Sequence, residues 1–375
     1  MRFIKSSLLF FFLLLCLNGF GQRNTLSEQT AVSVITCGIG NEVYSLFGHT
    51  AIRIFDPVNA LDVVYNYGAF DFDTPNFVVK FSKGDLQYFV TAGSFADFQA
   101  QYVYEKRAVS EQVLNLSTEQ KQQLFDELNI TLFSEKRFYT YKFIDRNCTS
   151  MVVDILNKTL KQPVIVKKGN TDQTYREVLY PYFSNHFYEQ LGTSIIFGTK
   201  VDQKATQIFL PSELEQSLAV VQYNGKPLAN EKESILQIEP EQPFSWWNNV
   251  FTFLILLILL VTAKSKVMTV FYFVIAGLIG LFFSVAGWYS FHGELEYNYN
   301  ILLFNPVLLV LVVLMLRNHS RWIFRISLFA IGCIGIYIVV MLNKIHLLIV
   351  SPLILAHLVL LSRLALANKP QKIRQ

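Results

Sequence analysis

The sequence predicts an α+β domain built on a small antiparallel sheet with one functional helix, followed by an all-α transmembrane bundle of five helices. Three observations carry this. The chain of 375 residues is 52% hydrophobic and only 16% charged, a balance that points to a membrane. Its apolar residues concentrate in the first twenty positions and again from Trp246 onward, leaving a middle of ordinary globular character. Within that middle, short period-two runs are broken by Gly, Pro and Asp, the mark of strands and turns.

The start is the first element. Arg2 and Lys5 precede the apolar run 8–17 and the small Gly19 and Gly21, which is the plan of a secretory signal peptide over 1–21, with Gln22 as the mature start. Cys16 lies outside a lipoprotein cleavage box, because Leu15 stands where a small residue is required. It is expected to leave with the peptide.

An exported domain is then expected over 22–245. Strands are read at 31–36, at 49–55 up to Asp56-Pro57, and at 63–67 up to Gly68. The stretch 70–77 alternates Phe70, Phe72 and Phe77 with Asp71 and Asp73, and suggests a thick core or an apolar groove. A strand at 86–92, a helix at 95–104 and a strand at 109–116 follow. Ser117-Thr118-Glu119-Gln120 reads as a capping box, with Leu124, Leu128 and Leu132 at helical spacing behind it. After Lys158 the chain looks looser, with a polar connection at 198–207 and one further helix at 210–220. Glu239-Pro240-Glu241-Gln242-Pro243 reads as an extended linker.

Five apolar runs complete the chain, at 246–263, 267–289, 301–316, 323–342 and 345–362, giving a membrane domain over 246–363 and a basic tail over 364–375. The third and fifth are short for a hydrocarbon core of about 30 Å. Trp246-Trp247 forms an aromatic belt at the entry. Lys264, Lys266, Arg317, Arg321, Arg325, Arg363, Lys369, Lys372 and Arg374 fall on one set of loops; the other set holds Lys344, Glu294 and Glu296. The positive-inside rule places the basic set in the cytoplasm and the 22–245 domain on the far side, in agreement with the signal peptide. The C-terminus is therefore expected in the cytoplasm.

Charge narrows the partners. Of 32 basic and 28 acidic residues, the middle segment keeps 20 and 26, a mildly acidic balance that excludes a nucleic-acid partner.

The chemistry gathers around Ile144-Asp145-Arg146-Asn147-Cys148-Thr149-Ser150. Asp145 reads as the N-cap of a helix whose inward stripe is Met151, Val152, Ile155 and Leu156. Cys148 then sits in the first turn, where free N–H groups and the helix dipole favour a thiolate. The candidate base is His49, held at a strand start behind Phe47-Gly48. The other histidines and cysteines show no metal-ligand spacing, so neither metal nor cofactor is expected. Cys333 falls inside the fourth run, and its plainer reading is packing between helices. Cys37 and Cys148 lie in the oxidising compartment, so a Cys37–Cys148 disulfide stands as an alternative to a free nucleophile.

A histidine at a strand start and, a hundred residues later, a cysteine at a helix start resembles the permuted branch of the papain-like NlpC/P60 arrangement. More closely, Phe47-Gly48-His49-Thr50-Ala51-Ile52-Arg53, Asn66-Tyr67-Gly68-Ala69-Phe70-Asp71-Phe72 and Asn147-Cys148-Thr149, in an exported domain ahead of several spans, resemble the Lnb family of bacterial lipoprotein N-acyltransferases. The resemblance implies that Cys148, deprotonated by His49, takes an acyl group from a membrane lipid as a thioester and passes it to the N-terminal amine of a diacylated lipoprotein. A membrane phospholipid is a candidate donor, and the location that the resemblance implies is the inner membrane of a bacterium. A third residue orients the imidazole; Asn66 is the first expectation, with Tyr67 and Asp71 as substitutes. Tyr67, Asp71 and Asn147 are also the expected substrate-binding residues. The polar loop of His292, Glu294, Glu296, Asn298 and Tyr299 either faces this domain or is a solvated hairpin.

Two rival readings differ in class. A membrane-tethered cysteine amidase or peptidase of the cell envelope would use the same pair with another acceptor. A lipid-binding or assembly module held by Cys37–Cys148 would not be an enzyme.

Overall fold

The computed structural model describes residues 25–239 and 244–370, so the signal-peptide segment, most of the proline-rich linker and the end of the basic tail lie outside the described residues. The first half is α+β, as the strand and capping patterns predict. Its strands are β1 (Ala31–Cys37), β2 (His49–Asp56), β3 (Leu61–Ala69), β4 (Gln87–Ser94), β5 (Val109–Val113), β6 (Phe138–Thr140) and, after the short hairpin β7 (Gln222–Tyr223) and β8 (Lys226–Pro227), β9 (Glu233–Leu236). The sheet runs β6-β4-β3-β2-β1-β5-β9 with every neighbour antiparallel.

Period-two alternation gives the sheet two apolar faces. Val32, Val34, Ile52, Ile54, Tyr65, Tyr67 and Val90 bury one face against α3 (Thr118–Leu132) and α4 (Cys148–Leu160). From those helices Leu124, Leu128, Val152 and Leu156 close the layer. A fully buried side chain of this size contributes about 1.5–3 kcal/mol, so the functional helix is held mainly by its buried stripe. Ile35, Cys37, Ala51 and Val64 line the other face under Phe98 and Tyr102 of α2 (Phe95–Tyr104).

Local chemistry fixes the ends. Ser117 and Gln120 form the predicted capping box of α3. The segment read as loose after Lys158 holds three short helices, α5 (Tyr175–Leu179), α6 (Phe187–Ile196) and α7 (Pro211–Leu218); Thr174 and Glu177 box the first. The stretch 77–83, not read as an element, is helix α1 (Phe77–Lys83), ended by Gly84 at φ 75°.

The C-terminal half is helical: α8 (Val250–Thr262), α9 (Lys266–Tyr289), α10 (Val307–Leu316), α11 (Ser320–Met341) and α12 (Leu347–Ala367). Of the five expected spans, three are helices long enough to cross among the described residues, or four if the pair Gly293–Leu302 and Val307–Leu316, bent by 43°, counts as one. The physical reasons are local. The run from Trp246 becomes helical only after Asn249, whose side chain caps Thr252, leaving 13 residues or about 20 Å of helix. The third run is interrupted ahead of Val307 by Pro306, which cannot supply an N–H to a continuous helix.

Candidate active site

The helix that carries Cys148 begins later than Asp145 suggests. Asn147 is the N-cap and Cys148 the first helical residue. Asp145 instead pairs with Lys200 and accepts from Gln207 at 3.2 Å. The Asn147 side chain is buried and fully engaged. Its Oδ1 accepts from the N–H groups of Thr149 at 2.9 Å and Ser150 at 3.0 Å, and its Nδ2 donates to the carbonyls of Phe143 and Phe209, each at 2.8 Å. No polar atom of that side chain is left for a ligand. Behind it, the Glu213 carboxylate accepts from the N–H groups of Phe209 and Leu210 at 3.1 Å and pairs with the buried Lys167 at 2.6 Å.

Strand β2 brings His49. Gly48 precedes His49 at φ 80°, and a Cβ there would stand 2.5 Å from the Cys37 carbonyl oxygen. Only glycine allows this approach of the β2 entry to β1. Thr50 and Thr149 then share a buried hydroxyl–hydroxyl bond at 3.0 Å, which pins the start of β2 to the start of α4. The result places His49 in hydrogen-bonding reach of the Cys148 thiol.

His49 Nε2 lies 3.2 Å from Asn66 Oδ1. With Nε2–H donating to that oxygen, Nδ1 is the unprotonated nitrogen of the ring. Asn66 reaches it diagonally, since Ala51 is its direct partner across β2 and β3. The register of β3 against β4 shifts between Asn66 and Ala69, and Gly68 in that irregularity has φ 104°. A Cβ on Gly68 would touch Cys148 Cβ at 3.8 Å and the Tyr139 hydroxyl at 4.0 Å. The missing side chain leaves room directly beside the thiol.

Electrostatics favour the reactive form. Burial pushes the Cys148 thiol up, but the His49 charge and hydrogen bond, the Thr50 backbone N–H and the Thr149 hydroxyl pull it down, and the net lies below the ordinary thiol value. Cys37 contrasts with it: burial drives its thiol up to about 12, despite a hydrogen bond with Tyr102. It sits under α2, and Cys37, Cys148 and Cys333 are all free thiols. The Cys37–Cys148 bridge is therefore not formed.

The remaining expected residues lie nearby with other surroundings. Tyr67 is buried in the main core, its ring 6.4 Å from that of Tyr139. Asp71 is exposed and accepts from the Asp73 N–H at 2.9 Å, shaping the turn before α1. Among the described residues no group of His, Cys, Asp and Glu is arranged to hold a metal.

Two features go beyond what the sequence discloses. The hydroxyl of Tyr139, on β6, is buried, has no hydrogen-bond partner and borders the Gly68–Cys148 contact. An unpartnered buried hydroxyl is costly, and this one lies close to Cys148. The second is the loop after α9, which is docked rather than solvated. The Ile144 N–H donates to Glu294 Oε1 at 3.2 Å, the Gly198 N–H to the Glu294 carbonyl at 2.7 Å, and Asn298 Nδ2 to the Ile195 and Ile196 carbonyls. Tyr299 and Lys344 both donate to Asp202, at 2.7 and 2.8 Å, and Asp202 also pairs with Arg176. The helical half thus grips the turn that leads into Cys148. The only sequence signal is the polarity of 292–299 between two apolar runs.

Two known family models match the chain. A model described as the Lnb N-terminal periplasmic domain matches residues 20–180, and one described as the Lnb transmembrane domain matches 231–369. No curated protein and no solved structure gives a significant match.

Proposed function

Because the chain belongs to the Lnb family, as a membrane protein with a periplasmic N-terminal domain and a transmembrane domain, we infer that it is a lipoprotein N-acyltransferase working through Cys148. The observation that carries this is the line Cys148–His49–Asn66 at the start of α4. His49 Nδ1 takes the thiol proton, and the thiolate attacks an ester carbonyl of a membrane lipid. The tetrahedral intermediate collapses to a Cys148 thioester as the glyceryl oxygen leaves with the proton from His49. The N-terminal amine of a diacylated lipoprotein then attacks the thioester, gives its proton to His49 and leaves an amide, restoring the thiol.

Asn66 keeps the imidazole in the tautomer with Nδ1 free. The oxyanion needs two donors. The N–H groups of Thr149 and Ser150 are spent on Asn147, and that of Met151 on the Asn147 carbonyl. The Cys148 N–H and the Tyr139 hydroxyl remain and flank the thiol. The spans suit reactants whose heads lie at the outer surface while their chains stay in the bilayer, with 22–245 periplasmic and the C-terminus cytoplasmic in a bacterial inner membrane. A wall amidase or peptidase needs only an anchor, and the docked multi-helix half favours the lipid reaction.

The test is genetic and chemical. In a strain dependent on this protein, Cys148→Ala and His49→Ala are expected to leave lipoproteins with free N-terminal amines. Unchanged N-acylation in both variants rejects the function.

A further inference from the structure

Helix α1 has no buried residue, yet four of its seven side chains, Phe77, Val78, Val79 and Phe81, are apolar. Val78 is 72% exposed and Val79 61%, and Phe72 in the preceding turn is 69% exposed. A cluster of this kind on a water-facing surface marks an interaction site.

The surroundings say what covers it. The C-terminal end of α1 is tied to the outer end of the 24-residue helix α9. The Phe291 N–H donates to the Lys83 carbonyl at 2.7 Å, Ser290 Oγ to the Ser82 carbonyl at 3.0 Å, and His292 Nε2 to the Phe81 carbonyl at 2.9 Å. Lys142 Nζ bridges the Gly84 and Phe291 carbonyls at 3.0 and 2.6 Å. Helix α9 ends in Trp288, 94% exposed, and Tyr289, aromatics of the type that mark where a span leaves the hydrocarbon. Lys83, whose ammonium pairs with Asp85 at 2.7 Å, lies over the Tyr289 and Phe291 rings at 5.4 Å from each, a cation beside the aromatics of the sort found at a lipid headgroup layer.

Inward, the aromatics are continuous. Phe77 lies 5.1 Å from Phe72 and 5.9 Å from Phe70, ring to ring; Phe70 lies 5.2 Å from Tyr88, and Tyr88 6.4 Å from Tyr139 beside Cys148.

We propose that α1 is seated in the headgroup–acyl boundary of the outer leaflet, and that the donor's acyl chain reaches Cys148 along Phe72, Phe77, Phe70 and Tyr88. The path rests on the acyltransferase reading; the seat does not. Short amphipathic helices with apolar faces and flanking lysines lie in this boundary.

The test uses the full chain in phospholipid nanodiscs with Val79→Trp, its fluorescence read against the parent protein. The control is Val58→Trp, in the turn at the far end of β2, about 25 Å from His49 along the strand. The signal added at position 79 is expected to fall at least twofold with acyl-brominated phospholipid and to resist aqueous acrylamide; the signal added at position 58 does the reverse. A position-79 signal that behaves like the control overturns the seat, whether or not Cys148 acquires an acyl group. Phe72→Asp, at the exposed outer end of the aromatic row, tests the path. Acylation of Cys148 from bilayer phospholipid is expected to fall at least tenfold while its alkylation by iodoacetamide is unchanged. Equal acylation overturns the path, and if both reactions are lost the tryptophan result decides. Quenching as expected in a protein that takes no acyl group keeps the seat and rejects the acyltransferase reading.

Discussion

Replacing Asn147 separates a cap from a substrate ligand. Asn147→Ala removes two bonds that satisfy first-turn N–H groups and two that satisfy the Phe143 and Phe209 carbonyls. Loss of an N-cap costs about 0.5–2 kcal/mol, and each buried carbonyl stripped of its donor adds about 1 kcal/mol or more. Bonds within one network do not add fully, so the expected total is about 2–5 kcal/mol. Asn147→Ser keeps a capping oxygen and loses only the two donors, so its cost falls between wild type and alanine. The assay is thermal unfolding of the full chain in detergent, with the iodoacetamide alkylation rate of Cys148 on the same samples. Both are expected to follow the order wild type, serine, alanine. An alanine variant that melts and alkylates like wild type but raises KM for the lipoprotein would refute this reasoning and return Asn147 to the substrate site.

Tyr139→Phe removes a hydroxyl with no partner, so the melting temperature is expected to hold or rise, while acyl transfer falls about 10²–10³-fold as for loss of one oxyanion donor. Equal rates would exclude Tyr139 from the oxyanion site. The thiol of Cys148 lies below the ordinary value, so its thiolate persists to lower pH, and the alkylation midpoint is expected below that of an ordinary cysteine. In His49→Ala burial is less opposed, and the midpoint moves up; a midpoint indifferent to His49 contradicts the pairing. Glu294→Ala leaves the Ile144 N–H without its acceptor and is expected to slow acyl transfer and expose the 141–147 turn to limited proteolysis, with Glu294→Gln restoring much of both. Alanine and glutamine variants equally impaired would place the effect in the Lys200 charge instead.

What the sequence disclosed depended on how local the cause was. The strands β1 to β3, the span of α2 and the Ser117 box follow from period and capping within a few residues, and the structure has them there. Asp145 and Asn147 are both good capping residues two positions apart. The choice fell to Asn147 because Phe143 and Phe209 carbonyls await its amide and Ser150 returns the bond to its N–H, and Phe209 is distant in sequence. Helix α1 was hidden by apolar residues on its exposed side, which blur a helical stripe. Hydropathy finds the runs of the second half but not their breaks, which Asn249 and Pro306 decide. His49 and Cys148 stood out by residue type, and Asn66 by its strand. Tyr139 did not, since its role depends on a hydroxyl left unpaired by the fold and on the space beside Gly68.

The central claim is that Cys148 carries the acyl group in transit. The most direct measurement is the mass of the Cys148 peptide after the full chain meets phospholipid without a lipoprotein acceptor. A peptide heavier by one fatty acyl group, released by neutral hydroxylamine and absent from His49→Ala, is the predicted result. An unmodified Cys148 in a preparation that still N-acylates lipoproteins would contradict it.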